Sequence, residues 1–203
     1  MSSASKAADV TLIGADYSVY TRICRATLRL KGIEYTFEDL DVFAEGGAEK
    51  ARQAGHPFGR IPVFRHGDLT IFETLAITRY IDQAFDGPLL QPDNPNDQAL
   101  MNQIISIIDT QVYPVLVWGL HVPRSEGREP PPEMLGSGLK VLAALDTLAG
   151  DDWLCGGSVS LADAYMAGCM EYVIDSAVGS LLPGHAPRLW TWWNRARTCA
   201  AFA

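Results

Sequence analysis

At 203 residues, 48% hydrophobic and 20% charged, the chain has enough length and apolar content for one large or two small domains with a real core. A net charge of −8 argues against nucleic acid and anionic membrane surfaces as partners, since both demand a basic face. The four cysteines, Cys24, Cys155, Cys169 and Cys199, are scattered, with no C-x-x-C and no paired histidines, so neither a disulfide framework nor a metal site is expected.

The first residues, Met1 to Lys6, lack the apolar core of a signal peptide. The longest apolar candidate for a membrane span, Pro114 to Leu120, is far too short. A soluble cytoplasmic protein is therefore expected.

Val10–Ile13 reads as a short strand. Ser18 is placed to cap the helix that follows, in which Tyr20, Ile23, Cys24, Thr27 and Leu28 share one face. Gly32 ends that helix. Glu34–Leu40 alternates and predicts a second strand; Ala44–Ala54 predicts a weak helix, with Gly46-Gly47 near its start. Ile61–Arg65 and Leu69–Phe72 predict a hairpin around His66-Gly67-Asp68, and Thr74–Phe85 an amphipathic helix. A strand-helix-strand unit implies a parallel pair with a right-handed crossover, and the hairpin adds antiparallel strands: a thioredoxin-like α/β layer, βαβ-α-ββα.

Asp86–Pro95 has the punctuation of a linker. Beyond it no strand pattern recurs. Helices are predicted over Asn96–Leu120, kinked at Pro114, over Met134–Leu148, Ser160–Ser176 and Pro187–Cys199, with a polar proline-rich loop at Pro123–Pro132. The expected organisation is a thioredoxin-like domain over 1–86, a linker over 87–95 and an all-helical domain over 96–203. Ser160-Leu161-Ala162-Asp163 has the form of a capping box and is assigned to stability, while Trp190, Trp192 and Trp193 read as packing groups.

The most informative stretch is His56-Pro57-Phe58-Gly59-Arg60-Ile61-Pro62-Val63-Phe64 with Glu73-Thr74-Leu75-Ala76-Ile77 after it. Pro62 heads a strand, a place where an X-Pro bond is a candidate for the cis isomer. A cis Ile61-Pro62 bond turns the backbone groups of Ile61 outward, free to pair with a peptide-like ligand. Glu73 and Thr74 open a helix whose unpaired N–H groups attract a carboxylate. Together they suit a ligand with both a peptide backbone and a free α-amino-acid group, as in glutathione.

With Ser18-Val19-Tyr20-Thr21-Arg22, Lys31-Gly32-Ile33-Glu34-Tyr35 and Ser160-Leu161-Ala162-Asp163, these motifs make the chain resemble a cytosolic glutathione transferase from about Asp9 onward. The resemblance implies glutathione as co-substrate, a small hydrophobic electrophile as second substrate, no metal, a homodimer and a role in detoxification. The serine-type classes, phi- and tau-like or bacterial, place the activating serine four residues before an arginine, as Ser18 stands to Arg22. By the same resemblance Thr74 holds the γ-glutamyl carboxylate, Glu73 its ammonium, Ile61 and Pro62 the peptide backbone, and Arg60 reaches the glycyl carboxylate or lies in solvent.

The tyrosine-type phenol falls near Gly14, so Tyr17 and Tyr20 are expected as core or pocket-wall aromatics. Tyr113, Trp118 and His121 are candidates for the wall of the second-substrate pocket. His56 is expected to cap its turn, and Cys24 to be buried. The alternative reading is a non-catalytic glutathione or hydrophobe binder or scaffold on this fold, or a glutathione-dependent lyase or isomerase.

Overall fold

The structure is a computed structural model that describes residues 9–202. These residues divide into two compact units, with the boundary between Leu89 and Leu90.

The first unit runs β1 (Val10–Gly14), α1 (Val19–Leu30), β2 (Thr36–Asp39), α2 (Gly47–Ala54), β3 (Val63–His66), β4 (Leu69–Phe72) and α3 (Thr74–Ala84). The sheet order is β2-β1-β3-β4. β1 pairs parallel with β2, Leu12 opposite Phe37, and antiparallel with β3, Leu12 opposite Phe64. β3 and β4 form the hairpin, His66 opposite Leu69. The apolar faces of β1, β3, α1 and α3 meet in one core: Val10, Leu12, Cys24, Leu28, Phe64, Ile77, Ile81 and Phe85. This is the thioredoxin-like layer expected from the sequence.

Boundaries differ where charge or turn chemistry intervenes. β2 is shorter than Glu34–Leu40 because it is a largely exposed edge strand with β1 as its single partner; Leu40 N–H, bonded to the Gly14 carbonyl at 2.7 Å, closes the ladder. α2 begins at Gly47 and not at Ala44, since a turn closed by Gly47 N–H on the Ala44 carbonyl (2.9 Å) takes up the residues before it. α1 ends in a Schellman arrangement: Gly32 is left-handed at φ 68°, its N–H reaches the Arg29 carbonyl at 3.0 Å, and Ile33 N–H reaches Leu28 at 2.9 Å.

The last residue of that helix turn, Lys31, is unusual. Its ammonium is buried and donates to the Asp82 carbonyl (3.0 Å), to Asp82 Oδ1 (3.2 Å) and to the Pro88 carbonyl (3.0 Å). One lysine thereby ties the end of α1 to the last turn of α3 and to the segment after it.

The second unit is helical: α4 (Pro95–Ile107), a π-helical stretch (Ile108–His121), α5 (Val122–Ser125), α6 (Pro132–Leu148), α7 (Leu161–Asp175), a 3₁₀ turn (Gly179–Leu181), α8 (Leu182–His185) and α9 (Pro187–Ala196). Asn94 caps α4, its Oδ1 accepting from Asn96 N–H at 2.8 Å, with proline at the first helical position. The expected helix with a kink at Pro114 is instead a wide-turn stretch through Pro114 that ends with Val122 N–H on the Val117 carbonyl, five residues back. Proline lacks the N–H of a regular α-helical ladder, and the wider spiral is how this chain passes it.

The helical run therefore continues through Ser125, into what was expected as a loop from Pro123. By length and composition Pro95–Ser125 is a span that meets the size of a bilayer crossing, unlike the short 114–120 run. Its apolar residues Met101, Ile104, Ile108, Val112 and Leu116 are buried within this unit, where α6 and α7 pack against it. α9 stops at Ala196, short of Cys199, and the one-turn helices before it were too short to leave a periodic signal.

The Ser160 capping box forms. Asp163, fully buried, accepts from Ser160 N–H (2.8 Å), Ser160 Oγ (2.9 Å), Leu154 N–H (2.9 Å) and Trp192 Nε1 (2.7 Å). Burial raises its carboxyl above the usual range, and those donors pull the other way. Trp192 and Trp193 are buried as packing groups, while Trp190 is half-buried.

Candidate active site

The strand register gathers the segments that matter. Ile13 at the end of β1 is opposite Val63 at the start of β3, and Val63 is opposite Phe72 at the end of β4. The loop after β1, which carries Ser18, the Ile61-Pro62 pair before β3, and Glu73-Thr74 after β4 therefore all stand at one end of the sheet. The end of β2 lies there too, Gly14 opposite Asp39.

Ser18 caps α1 from extended backbone and is half-buried; its Oγ accepts from Thr21 N–H at 3.2 Å. A hydroxyl has one proton and two lone pairs, so capping leaves the O–H free to donate. Two other hydroxyls lie on the buried face of α1: Thr27 Oγ1 is spent on the Ile23 carbonyl at 2.9 Å, and Thr21 is fully buried against Gly14. Cys24 is fully buried, which pushes its thiol far up and makes it inert. Gly14 cannot carry a side chain, because a Cβ there would collide with the buried Thr21.

Tyr17 is not a core aromatic. It is exposed, and its hydroxyl donates to Asp41 Oδ1 (2.7 Å) and accepts from Val42 N–H (3.2 Å), while its ring lies 5.6 Å from that of Phe43. Desolvation and the Asp41 carboxylate push the phenol up to about 12, so it stays protonated near neutrality. It straps the loop after β1 to the loop after β2. Tyr20 is half-buried on α1.

The Ile61-Pro62 peptide is cis. Ile61 is half-buried, just outside the β3 ladder, and Pro62 is buried. Glu73 is exposed at φ 68°, ψ 118°, outside the regions favoured for a residue with a Cβ. Backbone held there costs about 1–3 kcal/mol and persists where the surroundings impose it, most often at ligand sites. Its carbonyl still accepts the first bond of α3, from Ile77 N–H at 3.0 Å. Thr74 follows as the first helical residue and is buried, so the orphan N–H groups of α3 begin at Thr74.

Arg60 is exposed. His56 is only 3% exposed and takes Phe58 N–H on Nδ1 at 3.4 Å, the turn-capping role expected of it. Its ring lies 5.2 Å from that of Phe72. Burial lowers the imidazole from its ordinary value; Glu73 pulls against this and Arg60 adds to it, which puts both within electrostatic reach of His56.

In the helical unit, Tyr113 and Trp118 meet edge to face at 6.4 Å, and Trp118 is exposed. His121 is half-buried, 4.8 Å from the ring of Tyr172; its Nδ1 lies 3.2 Å from Asp175 Oδ2, near enough for an ion pair when protonated but not aligned as a hydrogen bond. Among the described residues no group of three or more His, Cys, Asp or Glu is placed to hold a metal ion.

Sequence reasoning missed Asp41 as the partner of Tyr17, and Asp16 with its arginines next to Ser18. The second had a legible signal, an acid immediately before a helix with arginines at 22 and 25.

Comparisons with known proteins agree with this architecture. A "Probable glutathione S-transferase" of Nicotiana tabacum is 27% identical over 177 residues, covering 86% of this chain and 77% of that protein. One of Solanum tuberosum is 30% identical over 135 residues, covering 66% of this chain and 60% of that protein, so the match spans less than two thirds of the potato relative. The crystal structure of glutathione transferase F7 from Populus trichocarpa superposes with a TM-score of 0.78 at 23% identity, covering 95% of both chains, which speaks to the fold. The family model for the glutathione S-transferase N-terminal domain matches residues 12–89 and that for the C-terminal domain residues 110–198, so the chain belongs to the glutathione S-transferase family.

Proposed function

We propose that the protein binds glutathione at the end of its sheet, holds the thiol as a thiolate with Ser18, and adds that sulfur to a small hydrophobic electrophile. The observation that carries this reading is the register that brings Ser18, Pro62 and Glu73-Thr74 to the same end of one sheet. The γ-glutamyl carboxylate goes to the N–H and hydroxyl of Thr74, its ammonium to Glu73, the peptide backbone to Ile61 beside Pro62, and the glycyl carboxylate to Arg60.

The thiol proton leaves to solvent, Ser18 O–H donates to the sulfur anion, and the sulfur attacks an electrophilic carbon by addition or by displacement of a leaving group. A thiol of ordinary pKa near 8.5 must drop by about two units, which needs about 2.7 kcal/mol. A hydrogen bond to a charged group contributes about 1.5–3 kcal/mol, and a helix N-terminus up to about 1 kcal/mol more. One hydroxyl at the start of α1 suffices. A serine-type mechanism also suits a chain in which position 14 admits no side chain.

For the electrophile we assign aromatic groups in each unit separately, Tyr17 and Tyr20 in the first and Tyr113, Trp118 and His121 in the second. Single alanine substitutions that leave glutathione affinity intact and raise KM for the electrophile support each assignment. A cytoplasmic homodimer belongs to the same proposal; sedimentation at the monomer mass would refute the dimer.

The deciding experiment is calorimetric titration with glutathione, with thiolate ultraviolet absorbance followed across pH, for the unchanged protein and Ser18→Ala. The substitution is expected to cut turnover at least about ten-fold and return the bound thiol toward its free pKa. Unchanged turnover removes Ser18 from the mechanism. Glutathione binding without ionisation in the unchanged protein favours a binder on this fold.

A further inference from the structure

The loop that presents Ser18 is short, four residues between β1 and α1, and Asp16 and Tyr17 within it are exposed. Inside it one backbone bond holds, Ser18 N–H to the Ala15 carbonyl at 3.0 Å. What fixes Asp16 comes from outside the loop. Arg22 Nε donates to the Asp16 carbonyl at 2.6 Å, and Arg25 Nη1 donates to the Asp16 carboxylate.

Arg25 is itself fixed. Its Nε donates to the Tyr35 hydroxyl at 3.2 Å, and its guanidinium lies over the Phe37 ring, 4.8 Å from the centroid. Tyr35 and Phe37 flank the start of β2, so one planar group links the Ser18 loop to α1 and to the edge strand. An exposed ion pair alone contributes little to stability. The flat, forked guanidinium instead sets direction: it bonds one carboxylate and one phenol while stacking on a ring, which an ammonium cannot do.

We propose that Arg25 is a positioning residue for Ser18: by clamping Asp16 it fixes the loop from which the serine hydroxyl reaches the glutathione sulfur, and it neutralises a carboxylate two residues from that hydroxyl.

This rests on the reading of Ser18 given above. Loss of Arg25 loosens the Asp16 side chain, while Arg22 and the Tyr17–Asp41 bond still hold the loop, and it leaves the Asp16 carboxylate without this guanidinium two residues from Ser18; both disfavour the thiolate. Neither touches the groups assigned to the glutathione carboxylates, so affinity and ionisation separate.

The test measures thiolate absorbance of bound glutathione across pH, calorimetric affinity for glutathione, and kcat, on the full chain and on Arg25→Met and Arg25→Lys, with circular dichroism to confirm folding. Arg25→Met is expected to raise the bound thiol pKa by about 0.5–1 unit and to lower kcat at about pH 6.5 roughly three- to ten-fold, with glutathione affinity within about two-fold. Arg25→Lys keeps the charge without the fork and is expected to recover part of the shift. If the methionine variant does not fold, the lysine variant decides alone: an unchanged thiol pKa and kcat overturn the proposal. A low thiol pKa in the unchanged chain that Arg25→Met leaves in place overturns the positioning role and spares Ser18. Weakened affinity without a shift in ionisation overturns it as well. No lowered thiol pKa in the unchanged chain removes the reading of Ser18 and this proposal together.

Discussion

Replacing Lys31 with methionine tests how a buried charge holds the first unit together. The two side chains of the pair are 1% and 3% exposed, so neither charge is relieved by water. Lys31→Met preserves the length and apolar stem of the side chain but removes the donor to Asp82 Oδ1 and to the carbonyls of Asp82 and Pro88. Breaking a buried pair by deleting one partner costs about 3–5 kcal/mol, because the other charge stays desolvated and loses its counter-charge. Replacing both with apolar groups of similar volume is often neutral. The double variant Lys31→Met, Asp82→Leu should then lose only about 1–3 kcal/mol, mostly from the Lys31 hydrogen bonds to the two carbonyls.

The expected coupling is at least about 1 kcal/mol, and urea denaturation resolves it. Two probes are needed. All five tryptophans lie at position 118 or later, so their fluorescence reports the helical unit, while far-ultraviolet circular dichroism reports both. If the units unfold as one, the two curves coincide; if Lys31→Met melts the first unit early, the dichroism curve alone moves. A single variant within about 1 kcal/mol of the parent, or a double variant worse than the single one, would refute the reasoning.

Asp163→Ala strips acceptors from four donors, two of them backbone N–H groups, and should destabilise the protein by about 3 kcal/mol or more in the same titration, whereas Ser160→Ala should cost about 0.5–2 kcal/mol. His56 is held below its ordinary value by burial, so the unfolded chain binds a proton at a higher pH than the folded one. Its contribution to stability is therefore complete above about pH 6.5 and lost as pH falls toward the lower folded value; the melting temperature of His56→Gln should lose that part of its pH dependence, and an unaltered profile would count against the assignment. Gly14→Ala should destabilise by about 1–3 kcal/mol through overlap with Thr21, and Thr21→Ala should restore much of it; a neutral Gly14→Ala would refute the close packing.

Features legible in the sequence were those whose partners lie within a turn or a strand of each other. Ser18 and Thr21, Gly32 and Arg29, and Ser160 and Asp163 are neighbours along one helix end, where side-chain chemistry dictates the geometry. Alternation and helical stripes separated the βαβ-α-ββα layer from the helices after it. What stayed hidden is long-range. Lys31 and Asp82 are 51 residues apart, Asp163 and Trp192 29, and Tyr17 and Asp41 24; no period links them, and only the packed fold makes them meet. The wide-turn stretch through Pro114 escaped because proline announces an interruption without saying whether the helix bends or widens. In the site, residue types and order were readable, but that Glu73 stands at positive φ and that Tyr17 turns outward were not.

The strand register has a thermodynamic consequence. Ile13, Val63 and Phe72 are cross-strand neighbours, so the three segments proposed to hold glutathione are assembled by the same ladder bonds that build the sheet. A one-residue slip of β3 would turn every side chain on it to the other face and scatter the site at once. No partly paired sheet retains half of the ligand contacts, so occupancy and the integrity of the first unit rise and fall together. A ligand held there stabilises the native state by mass action, by about 2.7 kcal/mol at a hundred times its Kd. Under the function proposed above, the abundance of glutathione is written into the melting temperature before any chemistry occurs.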